Sequence, residues 1–157
     1  MAHLTKEQQT LVNFADKAMT EAYAKYSDFQ VGAAVITNDG NVYSGFNIEN
    51  ISFGLTNCAE RTALFHALAS GEKPKDFKAI AIIAHTPDPI CPCGSCLQVM
   101  VELGGPELDV IMSNGPKDKI RVLKLKDLMP YAFSNTRKLD PPEINKTVTK
   151  KLSKAKP

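Results

Sequence analysis

The sequence predicts a three-layer α-β-α fold built on a mixed sheet of about five strands. Three observations point there. Segments with helical and strand periodicity follow in the order α-β-β-α-β-α-β-β. Residues 79–84 form a short apolar run without alternation, consistent with a central strand buried on both faces. The chain has 157 residues, 43% apolar and 23% charged, which suits one soluble domain with a real core. No stretch reaches the roughly 20 apolar residues that cross a bilayer, and the N-terminus has no signal-peptide pattern. These features predict no membrane partner and a cytoplasmic location.

Thr5-Lys6-Glu7-Gln8 reads as a capping box that opens a helix running to about Lys25, with an apolar stripe of Leu11, Ala15, Ala18, Met19 and Ala22. Strands at 31–37 and 42–47 flank Asn38-Asp39-Gly40, a hairpin signal. A second helix starts at Cys58 and ends near Gly71. The central strand at 79–84 precedes a third helix, from about Cys93 to Leu103, entered through Pro92. Two further strands, 109–112 and 120–123, enclose a polar turn.

The chemistry is concentrated in Cys58-Ala59-Glu60 and Pro92-Cys93-Gly94-Ser95-Cys96. Cys93 and Cys96 lie one helical turn apart, and Cys58 opens a second helix. Two helix N-termini can therefore bring three thiols to one zinc ion, and their dipoles favour the thiolate form. Three protein ligands leave a coordination position open, which is the arrangement of a catalytic zinc. Glu60 is then a carboxylate beside the metal and not bound to it. Cys91 offers a fourth thiol, so a structural Cys₄ site is a competing reading, but Pro92 between Cys91 and Cys93 favours extended backbone that keeps the two side chains apart. A metal-free reactive thiol pair is a third. Four cysteines without a leader sequence argue against a disulfide framework. His66, eight residues past Cys58, is about 12 Å along the helix and too distant to be a ligand; His3 and His85 have no motif around them.

Together with Tyr26-Ser27-Asp28-Phe29-Gln30-Val31-Gly32-Ala33-Ala34, Gly45-Phe46-Asn47-Ile48-Glu49-Asn50, Cys58 to Ala63, Pro92 to Val99 and the weaker Leu128 to Phe133, these residues resemble the homotetrameric zinc-dependent cytidine deaminase family. The resemblance covers about residues 10–135. It implies one Zn²⁺ per chain on Cys58, Cys93 and Cys96, with Glu60 carrying protons between water, the pyrimidine ring and leaving ammonia. It implies a nucleoside substrate held by Asn47 and Glu49 at the ribose and by Phe29 and the Ala59 backbone at the base. Phe53 and Phe133 stand where the family places aromatic residues that reach a neighbouring subunit's site. Arg61 would offset the thiolate charge. The implied activity is hydrolytic deamination of cytidine and deoxycytidine in pyrimidine salvage, by a homotetramer.

Three residues depart from the family pattern. Leu97 replaces a common Arg, Phe53 a common Tyr and Cys91 a common Ser. Loss of the cation at 97 leaves Arg61 alone beside three thiolates, which opposes ionisation of a bound water. Residues 1–135 are expected to form the catalytic domain. Residues 136–157 carry seven Lys or Arg and two acids, with Pro141-Pro142 and no apolar periodicity, and read as a flexible basic tail. Two other function classes fit part of the pattern. One is a deaminase of N4-substituted cytidines, nucleoside-like antibiotics or nucleic acid; polynucleotide deaminases typically carry His-x-Glu, which speaks against nucleic acid. The other is a binding module with structural zinc.

Overall fold

The capping box at Thr5 forms in full in the computed structural model, which describes residues 4–115 and 119–134. The Thr5 hydroxyl accepts from Gln8 N, and the Gln8 side chain accepts from Thr5 N. It opens helix α1 (Lys6–Met19). This helix stops about six residues short of the sequence expectation. Tyr23 N donates to Asn47 O, so the chain beyond Met19 is drawn into pairing with the segment after the second strand. Tertiary hydrogen bonds there override the apolar period that Ala22 would extend.

Strands β1 (Gly32–Thr37) and β2 (Val42–Phe46) form the predicted antiparallel hairpin. Helix α2 (Ala59–Ala69) follows, preceded by a 3₁₀ turn at Phe53–Leu55 that periodicity did not reveal. Strand β3 (Phe77–Ile83), helix α3 (Gly94–Leu103), strands β4 (Asp109–Ser113) and β5 (Ile120–Lys124) and a short helix α4 (Leu125–Leu128), also unpredicted, complete the order. The sheet runs β2-β1-β3-β4-β5, with β3 at its centre as the unbroken apolar run implied. Within this sheet β3 and β4 are the parallel pair, and α3 supplies the crossover that such a pair requires.

Alternation along the strands sorts the core into two layers. Ala34, Ile36, Ala79, Ala81, Ile83 and Ile111 face Leu11, Val12, Ala15 and Met19 of α1. Ala33, Val35, Ile80, Ile82, Val110 and Met112 face Ala63, Leu64 and Ala67 of α2 and Cys96 and Met100 of α3. This is the predicted three-layer α-β-α architecture. Helix α2 lies close on β2 because Gly45 has no side chain: a Cβ there would stand 2.3 Å from Ala63 N. The β2–α2 and β3–α3 junctions thus open at one end of the same layer. The basic tail expected at 136–157 lies outside the described residues, as do His3 and residue 135.

Candidate active site

Cys58 is the N-cap of α2 and Cys93 the N-cap of α3, both with extended backbone and neither using its side chain as a cap. Their sulfurs are free to point away from their own helices and toward each other. Cys96 follows one turn into α3 and is fully buried. The three Sγ atoms lie within 4.8 Å of one another, the one such cluster among the described residues. Cys58 and Cys93 are 3.9 Å apart, Cys93 and Cys96 3.5 Å. Tetrahedral zinc with bonds of about 2.3 Å spaces its sulfurs by about 3.8 Å. The donor set fits zinc in chemistry and in geometry. Cys91 is exposed and not in the cluster, as the proline between it and Cys93 predicted.

The charges around the cluster have identifiable causes. Arg61, one turn past Cys58, donates from Nη2 to Cys58 Sγ at 3.5 Å and to Thr56 O at 3.4 Å. Hydrogen bonds from the neighbouring Cys96 thiol, then from Arg61 and Cys93, bring the Cys58 thiol down to about 5 despite its burial. The same pairing and burial push Cys96 up. Metal-free, the pair therefore shares one negative charge centred on Cys58. Arg61 Nε is buried without a hydrogen-bond partner. Leu97, where a second cation would have stood, packs against the core.

Glu60 is in the first turn of α2 and only 4% exposed. Burial lifts its carboxyl above the usual carboxylate range, and the charge on Cys58 adds to the rise. It lines a cavity of about 270 Å³ with Cys58, Cys93, Ala59, Phe29, Asn47 and Glu49, among others. All of the substrate-side residues expected from one subunit are thus gathered at one opening. Phe53 and Phe133 are not among its walls; they are 76% and 79% exposed. Phe53 packs edge-on against Tyr26, and Gln98 Nε2 donates to Phe133 O at 2.7 Å, tying the C-terminal segment to α3.

Asn47 and Glu49 are tied to the loop that precedes β1. Asn47 Oδ1 accepts from Val31 N and Asn47 Nδ2 donates to Phe29 O, both at 2.9 Å. Glu49 accepts from the backbone of Tyr26 and Ser27 and from the Ser27 hydroxyl. These donors hold its carboxyl below the ordinary range. Sequence reading missed Ser27, Val31, Thr56, Ile90 and Cys91 as cavity walls. Only Ser27 had a usable signal, a small hydroxyl in a Tyr-Ser-Asp turn. His66 bonds Ser44 O and packs on Tyr43, and His85 pairs with Asp16; neither is near the cluster. Among the described residues no helix is long and apolar enough to cross a membrane.

Comparison with known proteins agrees with this geometry. Residues 5–112 match the family model described as the cytidine and deoxycytidylate deaminase zinc-binding region. A cytidine deaminase of Halalkalibacterium halodurans is 48% identical, over 82% of this chain and 95% of its own. One from Sporosarcina psychrophila is 43% identical, over 80% and 90%. The crystal structure of the cytidine deaminase from Burkholderia pseudomallei superposes with a TM-score of 0.77 at 52% identity, covering 85% of this chain and all of that one. That from Mycobacterium tuberculosis gives 0.70 at 38% identity, over 81% and 97%. With a family model spanning most of the folded chain and relatives at this identity, the chain belongs to the cytidine and deoxycytidylate deaminase family of zinc-binding proteins.

Proposed function

We propose that this chain hydrolyses the exocyclic amine of cytidine and deoxycytidine, giving the uridines and ammonia, with one zinc ion on Cys58, Cys93 and Cys96. The observation that carries the reading is a three-thiol cluster open to a cavity whose wall includes a buried carboxyl from the next residue but one. When bound, zinc lowers the pKa of a water toward neutrality and so supplies a nucleophile at physiological pH. Glu60 takes the proton of the attacking water and delivers it to ring N3. It then carries the remaining hydroxyl proton to the amine, which leaves as ammonia while C4 becomes a carbonyl. A carboxyl raised by burial is suited to both transfers. Arg61 offsets part of the thiolate charge.

Phe29 and the Ala59 backbone hold the base, and Asn47 and Glu49 hold the ribose. Each amide end of Asn47 has one backbone partner, which leaves capacity for a hydroxyl. Phe53 and Phe133 complete a neighbouring subunit's site in a homotetramer, consistent with their exposure on the isolated chain. The need for reduced thiols supports a reducing compartment such as the cytoplasm.

Ammonia release from cytidine, deoxycytidine, cytosine, cytidine monophosphate and an N4-substituted cytidine, with zinc measured on the same sample, tests the proposal. Both nucleosides should turn over and free cytosine should be poor, because ribose-gripping groups would be left unpaired. Zinc-loaded protein that releases no ammonia from either nucleoside would reject it.

A further inference from the structure

The Ser27 hydroxyl, on the ribose side of the cavity, bridges two of the groups that line it. It donates to Glu49 Oε1 and accepts from Phe29 N at 3.0 Å. The backbone N–H groups of Tyr26 and Ser27 donate to Glu49 Oε2 at 2.8 and 3.2 Å. A carboxylate offers about four acceptor positions. Two on Oε2 and one on Oε1 are therefore filled, and a single position on Oε1 is left for a ligand.

The turn that delivers these donors is held in an uncommon shape. Asp28 has φ 56, in the left-handed region, and its N–H bonds Ala24 O at 2.9 Å. A non-glycine residue there persists only when its surroundings over-determine it. The Ser27 hydroxyl is one of the constraints, because it satisfies the Phe29 amide immediately after the strained residue. Ser27, Phe29 and Glu49 all line the same cavity.

We infer that Ser27 is a positioning residue: its hydroxyl locks the Glu49 carboxylate and the Phe29 backbone into one unit and decides which Glu49 acceptor position faces the nucleoside. The inference rests on the reading of Glu49 as a ribose anchor. The lowered carboxyl of Glu49, for which the Ser27 hydroxyl is the largest cause, agrees with it.

Ser27→Ala should raise KM for cytidine about tenfold, the scale of a hydrogen bond to a charged group, while kcat stays within about threefold. Zinc content should match the wild type. In a Glu49→Gln background the same change should add a smaller rise in KM, because the carboxylate it positions is gone and only its bond to Phe29 N remains to be lost. An unchanged KM, or an equal rise in both backgrounds, overturns the inference. A ¹³C titration of the Glu49 carboxyl tests the contact without substrate: it should move up in Ser27→Ala, and an unmoved titration also overturns the inference. If the wild type fails to turn over cytidine, the proposed function falls, and the titration still decides the role of Ser27.

Discussion

Gly45→Ala should injure the active site from the far side of a helix. A Cβ at Gly45 would meet Ala63 N at 2.3 Å, Ala59 O at 2.7 Å and Ala63 Cα at 2.8 Å. All three are backbone atoms of α2, so no side chain can swing away. Ordinary contact begins at 3.4 Å, and the gap between β2 and α2 must open by about 1 Å. Overpacking of this kind costs about 1–3 kcal/mol, and rigid neighbours put this case at the upper end. For a chain of this size, that is a fall in melting temperature of about 6–12 °C. The helix displaced is the one that carries Cys58 at its N-cap and Glu60 in its first turn, and misplacement by about 1 Å can cost about 10²-fold in rate.

Gly32→Ala is the matched control. Its Cβ would stand 2.0 Å from Ala15 O and 2.6 Å from Met19 N, so it pushes on α1, in the opposite layer. Both variants should lose similar stability in a thermal melt. Only Gly45→Ala should lose zinc, by elemental analysis, and ammonia release at saturating cytidine. Wild-type zinc content and turnover in Gly45→Ala, or equal losses in both variants, would refute the reasoning that this contact sets the position of the metal ligands.

Two further outcomes follow from the cluster and from Glu60. Cys91→Ser should retain one zinc per chain while Cys58→Ser should not; elemental analysis of both checks the ligand assignment. In the metal-free protein the Glu60 carboxyl titrates above its ordinary value of 4.5 because of burial. The folded state then binds the proton more tightly than the unfolded state, so protonation favours the fold. Stability from this group is fully present below 4.5 and is lost as pH rises through the folded-state value. The difference between urea melts of metal-free wild type and Glu60→Gln across that window should show the slope, since Cys58, brought down to about 5, titrates in both proteins.

The metal cluster was legible in sequence because its parts are local. A cysteine at each of two helix starts, and a second cysteine one turn later, fix three sulfurs once two junctions face one another. The sheet was legible for a similar reason: 79–84 is a short run with no polar alternation, consistent with a strand covered on both faces. The end of α1 was not legible. Ala22 continues the helical stripe, and what cancels it is Asn47, more than twenty positions on, whose carbonyl takes the Tyr23 amide. The same lacing concerns Ser27: its hydroxyl in a Tyr-Ser-Asp turn was a local signal, but its partner Glu49 lies more than twenty positions on. Helix α4 was too short for a period of 3.6 to register. Phe53 and Phe133 read as ligand-side aromatics only through family resemblance, and on the isolated chain they face outward.

The central claim is that Glu60 carries protons in a site whose zinc is held without it. Single-turnover ammonia release from cytidine by zinc-loaded Glu60→Gln tests this most directly. The amide keeps the shape of the carboxyl and cannot move a proton. The account predicts wild-type zinc content with a rate about 10²–10⁴-fold lower. A wild-type rate at full zinc occupancy, or loss of zinc from this variant, would contradict it.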